Sequence, residues 1–166
     1  MFAFADGNGI SENSPSALSA AEIEIPKIFS DKQKFMTALE QRKLSLDHTD
    51  KEGNTLLHLA IIYRNREICS YLCKAGADIN AQNKWGTTPL HLAVQFRADG
   101  VGRDLIDLGA DLEIKNSKKQ TPLILAVKYK NWGLFAALLR AGADVQNGWY
   151  SGSGLRHINQ KMRFFY

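Results

Sequence analysis

Apolar residues recur along this chain in short bursts separated by polar, glycine-containing turns, and the bursts themselves repeat. Leu57, Leu59 and Ala60 return 33 residues later as Leu90, Leu92 and Ala93, and again as Leu123, Leu125 and Ala126. Leu72, Leu105 and Leu138 keep the interval, as do Thr55, Thr88 and Thr121, and the Gly-Ala-Asp triplets starting at Gly76, Gly109 and Gly142. One fixed interval carried by three independent signals marks an array of stacked supersecondary units.

Elementary rules then predict the content of one unit. Thr88 is placed to cap a helix, and Pro89 falls in its first turn, where a missing N–H costs nothing. Leu90, Leu92 and Ala93 supply its apolar face, with the alanine small enough for a neighbouring unit to approach. A second helix is expected from about Val101 to Leu108, terminated by Gly109 in the left-handed conformation. Such a helix pair cannot bury its own apolar face, so stacking is required for stability.

The segments Thr88-Pro89-Leu90-His91-Leu92-Ala93 and Gly76-Ala77-Asp78-Ile79-Asn80-Ala81 resemble the opening and closing motifs of the ankyrin repeat. The resemblance implies an all-α ankyrin-repeat solenoid of stacked helix-turn-helix units with hairpin-like turns. Repeats are expected at 50–82, 83–115 and 116–148, inside an ankyrin-repeat domain covering 21–166. Phe35, Met36 and Leu39 lie one interval before the second-helix positions, so about 21–49 reads as an N-terminal cap. Residues 149–166 read as a C-terminal cap, in which Gly154 and Arg156 replace the capping threonine and the buried leucine. Residues 1–20, rich in Ser, Asn, Gly and Ala, read as a disordered leader.

Composition narrows the setting. The 166 residues are 45% hydrophobic and 23% charged, an ordinary globular balance, and no apolar stretch approaches the ~20 residues of a membrane helix. Two cysteines, Cys69 and Cys73, are too few for a disulfide scaffold and point to a reducing, cytoplasmic location, which delivery into a host cell would also satisfy. Residues 1–83 carry a net charge of −2 and residues 84–166 of +6, which favours acidic partners.

No catalytic constellation or cofactor motif is present in the sequence, so the chain reads as a non-enzyme needing no cofactor or metal. His58 and His91 lack a third ligand at matching spacing, and the resemblance implies that each imidazole bonds to the backbone of an adjacent turn. Ile124 lacks that histidine, which predicts a weaker link at the third repeat. Cys69 and Cys73, four apart on one helix, read as structural, Cys73 sharing its register with Ile106 and Leu139. Asn80 resembles the ankyrin asparagine that cytosolic hydroxylases modify, although a bond within its own turn is the stronger reading.

The variable positions carry the candidate binding surface. Tyr63, Phe96 and Tyr129 recur at one interval near the end of each first helix, with Arg64, Arg97 and Lys130 directly after them. An apolar stripe thus runs beside a basic one, in the composition of an interface hot spot, on an end of the helix that the resemblance places toward the concave groove. The plainer reading is that the cations complement helix dipoles and the aromatics pack on neighbours. Trp85, at a polar turn tip, extends the candidate surface, and Lys119 stands where the other two turns have Gly53 and Gly86, predicting a strained or differently shaped third turn. The expected function is protein–protein interaction in the concave groove as inhibitor, adaptor or effector, by a chain that is monomeric when free and does not bind membrane. Its partner would bear an acidic or carboxylate-bearing segment. The alternative is binding of nucleic acid or an anionic surface through the basic C-terminal half, at Lys115, Lys118, Lys119, Lys128 and Lys130, then Arg156, Lys161 and Arg163, opposed by the intervening acidic residues.

Overall fold

The computed structural model describes residues 31–40 and 45–147, and the leader, the start of the N-terminal cap and the C-terminal cap lie outside the described residues. Among the described residues seven helices succeed one another: α1 (Lys32–Glu40), α2 (Leu56–Ile62), α3 (Arg66–Lys74), α4 (Pro89–Gln95), α5 (Asp99–Asp107), α6 (Pro122–Lys128) and α7 (Trp132–Arg140). The first helices α2, α4 and α6 pack side by side in one layer, and the second helices α1, α3, α5 and α7 form the other. Among the described residues the only β-bridge is a single one between Thr49 and Thr55, at the base of the first finger.

The periodic residues make the core. Leu57, Ala60, Leu90, Ala93, Leu123 and Ala126 are buried between the layers, joined by Ile68, Leu72, Val101, Leu105, Leu134 and Leu138 from the second helices. Phe35 on α1 is fully buried in the same cluster, as its register predicts. Thr88 and Thr121 cap their helices by accepting from the N–H groups of His91 and Ile124, each at 3.4 Å. The second helix of the middle repeat begins two residues earlier than predicted, at Asp99.

Between repeats the chain forms fingers, each closed by one side chain at its base. Asn83 Oδ1 accepts from Trp85 N and Thr87 N, both at 3.0 Å, and Asp50 and Asn116 do the same one repeat away on either side. Adjacent fingers are joined through Lys84 N–Glu52 O at 3.0 Å and Ser117 N–Trp85 O at 2.8 Å.

Gly53 and Gly86 turn the first two fingers with φ of +75° and +66°, and Lys119 turns the third with +59°. Of the two outcomes expected for that turn, the structure shows strain without a change of shape. A β-carbon in this region costs about 1 kcal/mol relative to glycine.

Candidate functional site

His58 and His91 sit fully buried between successive repeats. Each Nδ1 meets the threonine of its own helix, at 2.8 Å to Thr55 Oγ1 and 2.7 Å to Thr88 Oγ1. Each Nε2 reaches the next repeat, at 2.9 Å from Thr87 O and 3.0 Å from Gln120 O. A carbonyl only accepts, so Nε2 carries the hydrogen and the rings are neutral; burial lowers both pKa values below the ordinary 6.5. These imidazoles are structural links with no lone pair left for a metal.

The cysteines are likewise occupied by packing. Burial pushes the Cys69 thiol up to about 12, which removes its thiolate character. Cys73 is half-buried and not fully buried as expected, because its register, shared with equally half-buried Ile106 and Leu139, runs along the edge of the core; it also borders an open groove of about 720 Å³ between α3 and α5 that Tyr71, Val101 and Leu108 line. Arg66 spans this groove in a two-pronged pair with Asp104, both bonds at 3.1 Å, on an exposed side chain where such a pair adds little stability. Asn80 Oδ1 accepts from Asp111 N at 2.9 Å, so its side chain joins two repeats and does not bond within its own turn as expected, where Asp78 Oδ1 accepts from Asn80 N at 2.8 Å.

The candidate stripe is brought together on the first-helix side, but its members are not equivalent. Tyr63, Phe96 and Tyr129 are the residues at which α2, α4 and α6 end. Tyr63 is 42% exposed, whereas Phe96 and Tyr129 are half-buried and rest on the core. The Lys128 ammonium lies 5.5 Å over the Tyr129 ring, a cation–π contact that covers one face of it. Trp85 is 53% exposed on its finger, at the opposite end of the first-helix layer from the stripe.

Arg64, Arg97 and Lys130 are exposed, but they lie one residue past the helix rather than in its last turn. All three have left-handed backbone, with φ of 56°, 55° and 54°. Arg64 Nη2 donates to Phe96 O at 3.3 Å, and Arg97 Nη2 donates to Lys130 O at 2.8 Å and Tyr129 O at 3.4 Å. Each arginine therefore lies against the carbonyl end of the next repeat's first helix, where a cation is favourable. The plainer reading holds for part of these side chains, and their outer edges remain exposed.

The pattern of apolar positions gave no hint of the caps placed directly after these left-handed residues. Asn65 and Asn131 cap α3 and α7, accepting from Ile68 N at 3.0 Å and Leu134 N at 3.1 Å. Asparagine directly before a helical run was the available signal; the middle repeat has Ala98 there, with no side-chain cap.

The chain matches the family profile of ankyrin repeats (3 copies) over residues 19–116 and 76–148. It belongs to the ankyrin-repeat family, whose members generally mediate protein–protein interaction and whose repeat domains are generally non-catalytic. A local similarity joins it to palmitoyltransferase akr1 of Aspergillus oryzae, 42% identical over 43 residues. That segment is 26% of this chain and 6% of the relative, a share that reflects a repeat in common. Among the described residues no helix is long and apolar enough to cross a membrane.

Proposed function

We propose that this chain is a non-enzymatic binding module that holds a partner protein in the concave groove of its repeat stack, as an inhibitor, adaptor or effector in the cytoplasm. The observation that carries the reading is the first-helix side. Tyr63 and Trp85 are large apolar side chains left exposed at its two ends, with exposed Arg64, Arg97 and Lys130 along the end that Tyr63 occupies. Apolar anchors beside guanidinium groups are where binding energy concentrates in protein interfaces, and unneutralised cations speed encounter with an acidic surface. The His58 and His91 links keep this surface rigid, which lowers the entropy lost on binding.

The test is affinity capture from native lysate with mass spectrometry, comparing the wild-type chain with a Tyr63→Ala/Trp85→Ala variant. These two are chosen because Phe96 and Tyr129 also pack on the core. At roughly 1–2 kcal/mol per anchor the double variant loses about one to three orders of magnitude in affinity. A protein lost from the variant's eluate, with cooperative melting retained, supports the reading; equal capture by both chains refutes it.

A further inference from the structure

The second-helix layer, away from the first helices, carries the groove of about 720 Å³ between α3 and α5. Its two banks differ in charge. The α3 bank has two cations and one carboxylate, Arg66, Lys74 and Glu67, whereas the α5 bank has two carboxylates, Asp104 and Asp107. Apolar side chains lie between them, with Cys69, Val101 and Leu105 buried and Tyr71 half-buried. At one end Leu108 is 55% exposed, a large apolar side chain where the repeats on either side have Ala75 and Ala141.

Such a face is complementary to itself. Lys74 and Asp107 are one repeat interval apart, so they stand at the same height on two helices that run in the same direction, and Ala75 and Leu108 do likewise. A twofold axis laid along the groove places the α3 of each copy over the α5 of the other and keeps that height. Lys74 then faces Asp107 of the second copy, and Ala75, with its small side chain, leaves room for Leu108 of the second copy. Arg66 and Asp104 already bond across the groove at 3.1 Å, so they too stand where the same pair can form between copies. Lys74 and Asp107 are exposed and form no ion pair with a described residue, which leaves both open to a new partner.

The other faces lack this property. The groove between α5 and α7 has a cation on each bank, Arg103 and Arg140, with Asp107 its one carboxylate. The first-helix side presents Arg64, Arg97 and Lys130. Either would set like charges against its own copy.

We infer that the α3–α5 face is a homodimer interface and that its occupant is a second copy of this chain. Each helix has nine residues, about 13 Å of length, so the face falls short of the ~800 Å² a side of a standard interface. The dimer is therefore weak, with a Kd on the order of 10–100 µM, and the monomer expected from the sequence is its dilute state. The first-helix side stays open in the dimer, so this inference stands apart from the binding reading above.

Sedimentation equilibrium of the full chain over about 1–500 µM tests it. A reversible dimer is expected, weakening as salt rises. Leu108→Ala, which installs the residue of the other two repeats, is expected to weaken it roughly tenfold. Lys74→Asp and Asp107→Lys are each expected to weaken it by roughly as much, since each sets like charges together at two symmetric places. An equimolar mixture of the two reversed chains is expected to dimerise about as well as wild type, because opposite charges then meet at both places. A merely structural role for either residue gives no recovery on mixing. All three side chains are exposed, and thermal melts check that the variants keep the fold.

A wild-type chain that stays monomeric throughout overturns the inference and leaves the groove to a different protein. A dimer indifferent to Leu108→Ala or to the charge reversals overturns it as well, because its interface then lies elsewhere. Failure of the mixture to recover does the same.

Discussion

The first two repeats and the third share a helix pair, a finger and a core, but they differ at two positions in the same register. In repeats one and two the residue after the helix-opening leucine is His58 or His91, bonded across to the next repeat; in the third it is Ile124, whose side chain has no donor or acceptor to make such a bond. At the fingertip the first two repeats relax into Gly53 and Gly86, while the third holds Lys119 in the same left-handed turn. Linkage is thus concentrated at one end of the stack and fingertip charge at the other, while a left-handed cation ends the first helix of all three repeats. Stacking bonds tolerate little variation because a fully buried imidazole must keep its partners, whereas a fingertip can exchange stability for a charge.

The comparison breaks most readily at the imidazoles. His91→Ala removes the bond to Gln120 O, leaves Thr88 N without its acceptor, and opens space at a fully buried site. A loss of about 3 kcal/mol in urea denaturation is expected, against about 1 kcal/mol for Ile124→Ala. Equal losses would show that the histidines are not the links they look like. Because burial lowers both pKa values in the fold, the unfolded chain binds more protons below about pH 6.5. Stability from these groups is therefore complete above that pH and declines as pH falls, by at most about 1.4 kcal/mol per pH unit for each ring. His91→Leu should reduce that decline by up to half, and a flat profile between pH 7 and 5 would contradict it.

A smaller effect separates two glycines of the middle repeat's second helix. A β-carbon at Gly102 would lie 2.6 Å from both methyl carbons of fully buried Leu134, so Gly102→Ala should cost about 2 kcal/mol. At Gly100 the nearest atom is the Arg66 guanidinium carbon at 3.2 Å, the far end of an exposed side chain that can move. The helix-propensity gain of ~1 kcal/mol then offsets the crowding, and Gly100→Ala should be close to neutral in thermal melts. A costly Gly100 would mean that the Arg66–Asp104 pair matters more than exposed pairs usually do.

Much of this was legible from one interval. Thr88, Leu90 and Gly109 each announced a role that depends on the repeat's own geometry, and a capping hydroxyl or a left-handed glycine is local chemistry. The site was less legible because its properties depend on the neighbouring repeat. Tyr63, Phe96 and Tyr129 share a register, yet the second and third pack down on the core. Cys73, Ile106 and Leu139 share an apolar register, yet all three are only half-buried, and Cys73 borders a groove beside Leu108, whose counterparts one interval away are Ala75 and Ala141. Arg64, Arg97 and Lys130 concealed a left-handed turn because no glycine marks it; only the capping Asn65 and Asn131 next to them gave a trace.

The finest test of the comparison is at the third fingertip. Lys119→Gly should stabilise the domain by about 1 kcal/mol, because glycine takes a φ near +59° without the penalty of a β-carbon. For a domain of this size that corresponds to a rise of about 2–4 °C in Tm, read by calorimetry at low protein concentration. The reciprocal change is not symmetrical. At Gly86 a β-carbon would come within 3.2 Å of Ser117 N, a backbone group bonded to Trp85 O that cannot step aside. Gly86→Ala should therefore cost at least as much as Lys119→Gly gains. If Lys119→Gly leaves Tm unchanged, the left-handed turn is relaxed with a lysine in it. The strain argument then fails at Arg64, Arg97 and Lys130 as well, and these cations become ordinary surface charges.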